Sequence, residues 1–324
     1  MFNGATPSRR GVLTLGVSAL AVSGLAACRT KRTPAEAISS SAAPVDPRFP
    51  GDPGTERSYL GVSRAVAQPA DSGRWLNGTR ISMSRRYYQA DQIALMLDDI
   101  TADHRDGVVP FVSIKPDLSW AEVADENDDG WLEAVLSSLQ VVTAPVFLAI
   151  HHEPENDHDT DNKPADWVAM QRRAFKLVRR KSDLVTVVPV LMSWTFNPES
   201  GRVPRDWVVP HCRLMGFDFY NQWAPDLLAP WTELLELVGQ VREVIGPNVP
   251  IIAPELGCRN DPDDPERASR WMSAAFDDAH WLGVVGLAWF NSEYAEDIEF
   301  RLDAAERATL AGLLDRPEVA RITD

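Results

Sequence analysis

The 324-residue sequence predicts an α/β protein folded as a single-domain (β/α)8 TIM barrel. Eight short runs of β-branched and aromatic residues recur between residues 58 and 290, with amphipathic runs of helical period between most of them. The apolar runs are nearly continuous, as expected of parallel strands covered on both faces. No G-x-G-x-x-G or P-loop follows any of them, which places the open, doubly wound sheet second.

In chain order the strands are expected at 59–63, 79–84, 108–114, 145–151, 185–194, 213–220, 250–254 and 284–290. Helical patterns cover 92–104, 120–139, 165–181, 231–245, 265–280 and 303–314. The crossovers 64–78 and 195–212 are short or proline-broken and carry no helical pattern.

The amino terminus reads as an address. Ser8-Arg9-Arg10 precedes an uncharged run from Gly11 to Ala27 that ends Leu25-Ala26-Ala27-Cys28. Paired arginines before a short apolar stretch are the twin-arginine export pattern, and Leu-Ala-Ala-Cys resembles a lipobox whose cysteine is lipidated. Residues 1–27 are therefore expected to be a signal peptide and Cys28 a lipid attachment site on the extracytoplasmic face of a bacterial membrane. A transmembrane helix is the competing reading, but 17 apolar residues sit at the bottom of the roughly 17–25 a span requires. Residues 28–55, with three consecutive serines and five prolines, are expected to be a disordered tether. The barrel domain is assigned to 56–324.

The chain carries 32 Lys+Arg against 47 Asp+Glu, a net charge of −15. So acidic a chain repels phosphate backbones, which excludes nucleic acid and points to a neutral or cationic partner. Cys212 is placed at the start of strand six and Cys258 just past the end of strand seven, about a strand's length apart and too far for a disulfide. A monomer without cofactor or catalytic metal is expected.

Chemistry in such a barrel belongs at the carboxyl ends of the strands. The fourth ends His151-His152-Glu153-Pro154-Glu155, and the seventh runs into Glu255-Leu256-Gly257. Two opposed glutamates suit glycoside hydrolysis, one protonating the leaving oxygen and the other attacking the anomeric carbon. Tyr220, at the end of strand six, is within reach of Glu255. Trp194, Trp223 and Trp289 fall at or just after strand ends, where indole faces can stack on sugar rings. Trp289 is the best candidate because its neighbours are small or polar; Asn291 follows it as a polar partner. Arg85 after strand two and Lys115 after strand three are basic groups at the same rim, available to an anionic substrate group, to Glu255, or to ordinary salt bridges.

These strand ends resemble clan A glycoside hydrolases, and family 26 in particular, whose type members are endo-β-mannanases. The matching stretches are His152-Glu153, Met192-Ser193-Trp194 through Pro198, Gly216-Phe217-Asp218-Phe219-Tyr220-Asn221 and Glu255-Leu256-Gly257. The resemblance implies a retaining mechanism with Glu153 as general acid/base and Glu255 as nucleophile. It implies that His152 and Tyr220 orient the glutamates, that Asp218 supports them and that Trp289 is the sugar platform. The family commonly continues the strand-four motif as Glu-Met-Asn-Gly, whereas here it is Glu153-Pro154-Glu155-Asn156-Asp157-His158. Mannan specificity is therefore not inherited, and a cell-envelope glycan is an equal candidate.

Two other classes compete. The run from His151 to His158 is dense in metal-ligand types, but H-E-x-x-H fails and Pro154 obstructs the helix it needs; its acids are read as a solvated rim. A lipid-anchored protein that binds glycans without cleaving them is the other alternative. No G-x-S-x-G follows Cys28, which disfavours a serine esterase.

Overall fold

The computed structural model describes residues 48–64, 75–125, 130–224, 229–291 and 300–322. Cys28, the export signal and residues 28–47 of the expected tether lie outside them. The last residues of that tether belong to the fold: Arg48 grips both carboxylate oxygens of Asp52, at 2.8 and 2.7 Å, and Phe49 between them is 1% exposed. The domain thus begins by residue 48 and not at 56, because an aromatic ring inside a Pro-rich segment finds an apolar seat.

β1 (Tyr59–Ser63) is followed by a two-residue hairpin, β2 (Trp75–Leu76) and β3 (Thr79–Arg80), and then by β4 (Met83–Tyr88). The second barrel strand is therefore 83–88, displaced from the expected 79–84. Thereafter come α1 (Ile93–Arg105), β5 (Val109–Ile114), α2 (Trp120–Ala124), α3 (Trp131–Ser138) and β6 (Val146–Ile150). The helix expected over 120–139 is two pieces; a capping box between Ser119 and Glu122 starts the first. The chain continues through α4 (Pro154–Asp157), α5 (Pro164–Lys181), β7 (Val185–Val187), β8 (Val190–Met192), β9 (Met215–Tyr220), α6 (Leu234–Ile245), β10 (Ile251–Gly257), α7 (Arg267–Leu282), β11 (Val284–Phe290) and α8 (Ala304–Leu314).

Nine parallel strands run in the order β7-β6-β5-β4-β1-β11-β10-β9-β8. The two outermost, β7 and β8, are halves of one strand interrupted at Val188-Pro189. Proline has no N–H to give a ladder, so the strand switches partners there. The Val188 N–H donates to Leu148 on β6, and the Pro189 carbonyl accepts from Gly216 on β9, both at 2.8 Å. That switch closes the sheet, and the fold is the expected (β/α)8 barrel.

Alternation divides the strand residues between two apolar layers. One, inside the barrel, holds Phe49, Tyr59, Met83, Phe111, Phe147 and Ile252. Phe147 is its hub, with ring centroids of Phe49, Tyr59 and Phe111 at 6.2, 6.0 and 5.9 Å. The other lies between strands and helices and includes Val62, Ile150, Phe217, Leu256 and Trp289. Both cysteines are free, Cys258 buried and Cys212 partly so. Among the described residues no helix is long and apolar enough to cross a membrane.

Candidate active site

Inside the barrel the strands turn polar within two residues of the apolar layer. On β4 the inward positions run Met83, Arg85, Tyr87, while Arg86 and Tyr88 face α1 and bind Asp99. On β9 they run Gly216, Asp218, Tyr220. β10 reaches the same space through a register shift between Ile252 and Glu255; Pro254, with no N–H, sits in that bulge, which re-aims Glu255.

Glu255 is 7% exposed and held on three sides. Tyr220 donates to Oε2 at 2.6 Å, the Tyr87 hydroxyl donates to Oε1, and an Arg85 nitrogen lies 3.8 Å from Oε1. The single proton of Tyr87 goes to the carboxylate, so its oxygen accepts from Arg85 Nε at 3.2 Å and from Ser63 Oγ at 2.6 Å. Burial, and then the charge of Glu255, push both tyrosines above the ordinary phenol range, so they remain donors. Gly257 leaves room for this: a Cβ there would stand 3.3 Å from the Tyr220 ring.

Glu153 comes from the other side. His151 and Glu153 both take left-handed backbone conformations, φ 54° and 48°, a local cost of order 1–3 kcal/mol each for non-glycine residues. The turn is held by the Glu153 N–H on the Val190 carbonyl, by Trp167 on the His151 carbonyl and by Gln171 on the Ile150 carbonyl, at 3.0, 3.0 and 2.7 Å. Burial, and then the charges of Glu255 and Glu155, push the Glu153 carboxyl up to about 8. Glu153 is thus an acid at neutral pH and Glu255 a hydrogen-bonded acceptor, two like groups in opposed environments.

Asp218 is 2% exposed with neither carboxyl oxygen hydrogen-bonded, and burial with the charge of Glu255 raises it well above the carboxylate range. Arg85 is wholly buried, and its acidic neighbours Tyr87, Asp218 and Glu255 keep its proton in place against the burial that opposes its charge. It lies within β4 beside Glu255, not on the rim.

Several expectations are corrected. Trp289 is 1% exposed and belongs to the layer between strands and helices, because Ala288 and Phe290 take the inward positions of β11. It offers no sugar platform. Lys115 makes the ordinary salt bridge among its alternatives, to Asp157 at 2.6 Å, and does not pair with Glu255. Trp223 stacks near Trp231, with centroids 5.5 Å apart, and under Arg267. Asn291 is 7% exposed, and its N–H donates to the Ser63 carbonyl at 3.0 Å. His152 packs its ring on Tyr87, centroids 5.0 Å apart, and burial keeps it neutral. Trp194 lies in a single helical turn, Ser193–Phe196, after a strand that stops at Met192. It and Tyr220 line a cleft of about 810 Å³ that runs between that turn and α6, past Asn197, Gln222 and Gln240.

Glu155 is no solvated rim residue: it is 1% exposed. His151 and Asp157, from the same run, are engaged with protein groups. The Trp120 indole N–H donates to His151 Nδ1, so Nε2 carries the proton and donates to Asp157, at 3.0 and 2.9 Å. Among the described residues no three His, Cys, Asp or Glu side chains are grouped to hold a metal ion.

Solved structures similar in fold to this one include glycoside hydrolases. The catalytic domain of the Bacillus sp. JAMB-750 GH26 endo-β-1,4-mannanase superimposes with a TM-score of 0.57 at 10% identity, covering 82% of this chain and 88% of that one. A Cellulomonas fimi endo-β-1,4-mannanase double mutant gives 0.55 at 11% identity over 83% and 73%. The endo-β-1,4-mannanase from Thermotoga petrophila gives 0.53 at 11% over 81% and 77%. No protein-family model matches the sequence, and no curated protein matches it.

Proposed function

We propose that this protein is a retaining glycoside hydrolase that cleaves a β-linked polysaccharide, of mannan type or from the cell envelope, by double displacement. One observation carries the reading: two glutamates reach the barrel mouth from different strands into opposed environments, Glu153 with its proton favoured by burial and by the charge of Glu255, and Glu255 accepting hydrogen bonds from two tyrosines. Glu153 donates its proton to the glycosidic oxygen as Glu255 attacks the anomeric carbon, which releases the aglycone and leaves a glycosyl ester on Glu255. Ester formation removes the negative charge that had helped Glu153 hold its proton. Its affinity for a proton falls, and it can then act as base on the water that cleaves the ester.

The cleft beside Tyr220 is large enough for more than the reacting sugar, since small-ligand sites span roughly 300–1,000 Å³. Trp194 offers it an aromatic wall, and among the described residues no Lys or Arg lines it. This favours a neutral or cationic chain over an acidic one. The mannanase neighbours bring β-mannan forward as the first substrate to test. The anchor at Cys28 and an extracytoplasmic location remain part of the proposal.

The test is a panel of β-linked polysaccharides and isolated envelope glycans, assayed with the parent, Glu153→Gln and Glu255→Gln. Each variant is expected to lose hydrolysis while retaining glycan binding. Binding without cleavage by the parent would instead make it a glycan-binding barrel.

A further inference from the structure

Glu155 departs from the strand-four motif of the resembling family, and its surroundings are unlike those of an ordinary helix-turn acid. It is the second residue of α4, is 1% exposed, and reaches away from solvent towards strand five. Oε1 accepts the Met192 N–H at 3.0 Å, and the Thr195 hydroxyl also bonds the carboxyl. Oε2 is buried without a partner. Arg202 braces the same turn, donating to Thr195 Oγ1 at 3.0 Å and to Asn156 Oδ1 at 3.1 Å, and Asn156 in turn donates to Glu153 at 3.4 Å.

A clamp alone would not need a charge. A glutamine offers the same acceptor to Met192 without an acid in the interior, where burying an ionisable group is costly. Retention of a carboxyl with one bare oxygen therefore points to what its charge does. Burial raises Glu155 to about 7, partly countered by Thr195, the Met192 N–H and Arg202, so it gains its charge as the pH passes neutrality. The charged groups acting on Glu153 are Glu255 and Glu155, which hold its proton, and Arg85 and Lys115, which oppose them. Asp218, from β9, also feels Glu155.

We propose that Glu155 is a positioning residue for Glu153: it ties the Glu153 turn to the turn that carries Trp194, and its negative charge keeps the proton on Glu153 as the pH rises. The proposal rests on the glycosidase reading and extends it to the control of the acid's working range.

The test compares kcat/KM against pH for the parent, Glu155→Gln and Glu155→Asp on the glycan the parent cleaves. In Glu155→Gln the alkaline limb is expected to move to lower pH by on the order of one unit. Glu155→Asp, which keeps the charge, should hold the limb where the parent has it and so covers the case in which the Gln variant fails to fold. In parallel, carboxyl-labelled glutamate observed by NMR follows the Glu153 resonance, assigned by its loss in Glu153→Gln. Its titration should shift in step with the limb. A Glu153 titration unmoved in Glu155→Gln, or displaced equally in Glu155→Asp, overturns the proposal whether or not the protein cleaves any glycan. A shifted titration in a parent that cleaves nothing would preserve the coupling and remove the glycosidase reading.

Discussion

The floor and the mouth of this barrel are built on the same strands, two residues apart, yet they follow opposite rules. At the floor Phe49, Tyr59, Phe111 and Phe147 pack ring against ring in an apolar layer. At the mouth Arg85, Asp218, Glu153 and Glu255 crowd together, two of them with buried atoms left unpaired and one on strained backbone. A folded chain tolerates such a mouth only because the floor beneath it is well packed. Stability and chemistry are thus separated along the barrel axis.

Substitutions at the two levels should therefore fail in different ways. The largest effect is expected at Glu153→Gln, a loss of order 10²–10⁴ in kcat with no drop in melting temperature, measured by steady-state assay beside calorimetry. Phe147→Ala should do the reverse. It is expected to cost about 3–5 kcal/mol in urea denaturation while kcat/KM per folded molecule stays near the parent value. If instead Phe147→Ala inactivates the folded fraction, the two levels are not separable.

A subtler difference concerns pH. Glu153 and Glu155 have folded-state affinities for protons raised above their unfolded values. Such groups stabilise the fold fully below the ordinary carboxylate range, and that contribution is lost progressively from about pH 4.5 until the pH has passed about 7 for Glu155 and about 8 for Glu153. Denaturation midpoints should fall across that window in the parent. Glu153→Gln should flatten the fall by on the order of 2 kcal/mol, whereas Phe147→Ala should leave its slope unchanged. The smallest effect is expected at the cleft wall: Trp194→Ala should raise KM for a polymer severalfold, about 1 kcal/mol, with less change for a substrate that occupies only the reacting subsite.

The same contrast explains what could be read from the sequence. The apolar layers announce themselves, so the eight strands and the barrel followed from hydrophobic rhythm, and Glu153, Glu255 and Tyr220 followed from their places at strand ends. Polar inward residues hide the strand that carries them. Arg85-Arg86-Tyr87-Tyr88 looks like the end of a strand, yet it alternates inward and outward, and its parity would have exposed Tyr87 as a partner of Glu255. Parity likewise decides Trp289: the reading by position near a strand end ignored that its neighbours Ala288 and Phe290 hold the inward slots. Glu155 could not be found this way, because its burial depends on how Met192 and Thr195 meet it after folding.

Phe49 fastens the leading end of the described chain to the amino-terminal face of the sheet, where Thr186 also binds the Pro50 carbonyl at 2.9 Å. Whatever chain precedes Arg48 therefore joins the domain on the side remote from Glu153 and Glu255.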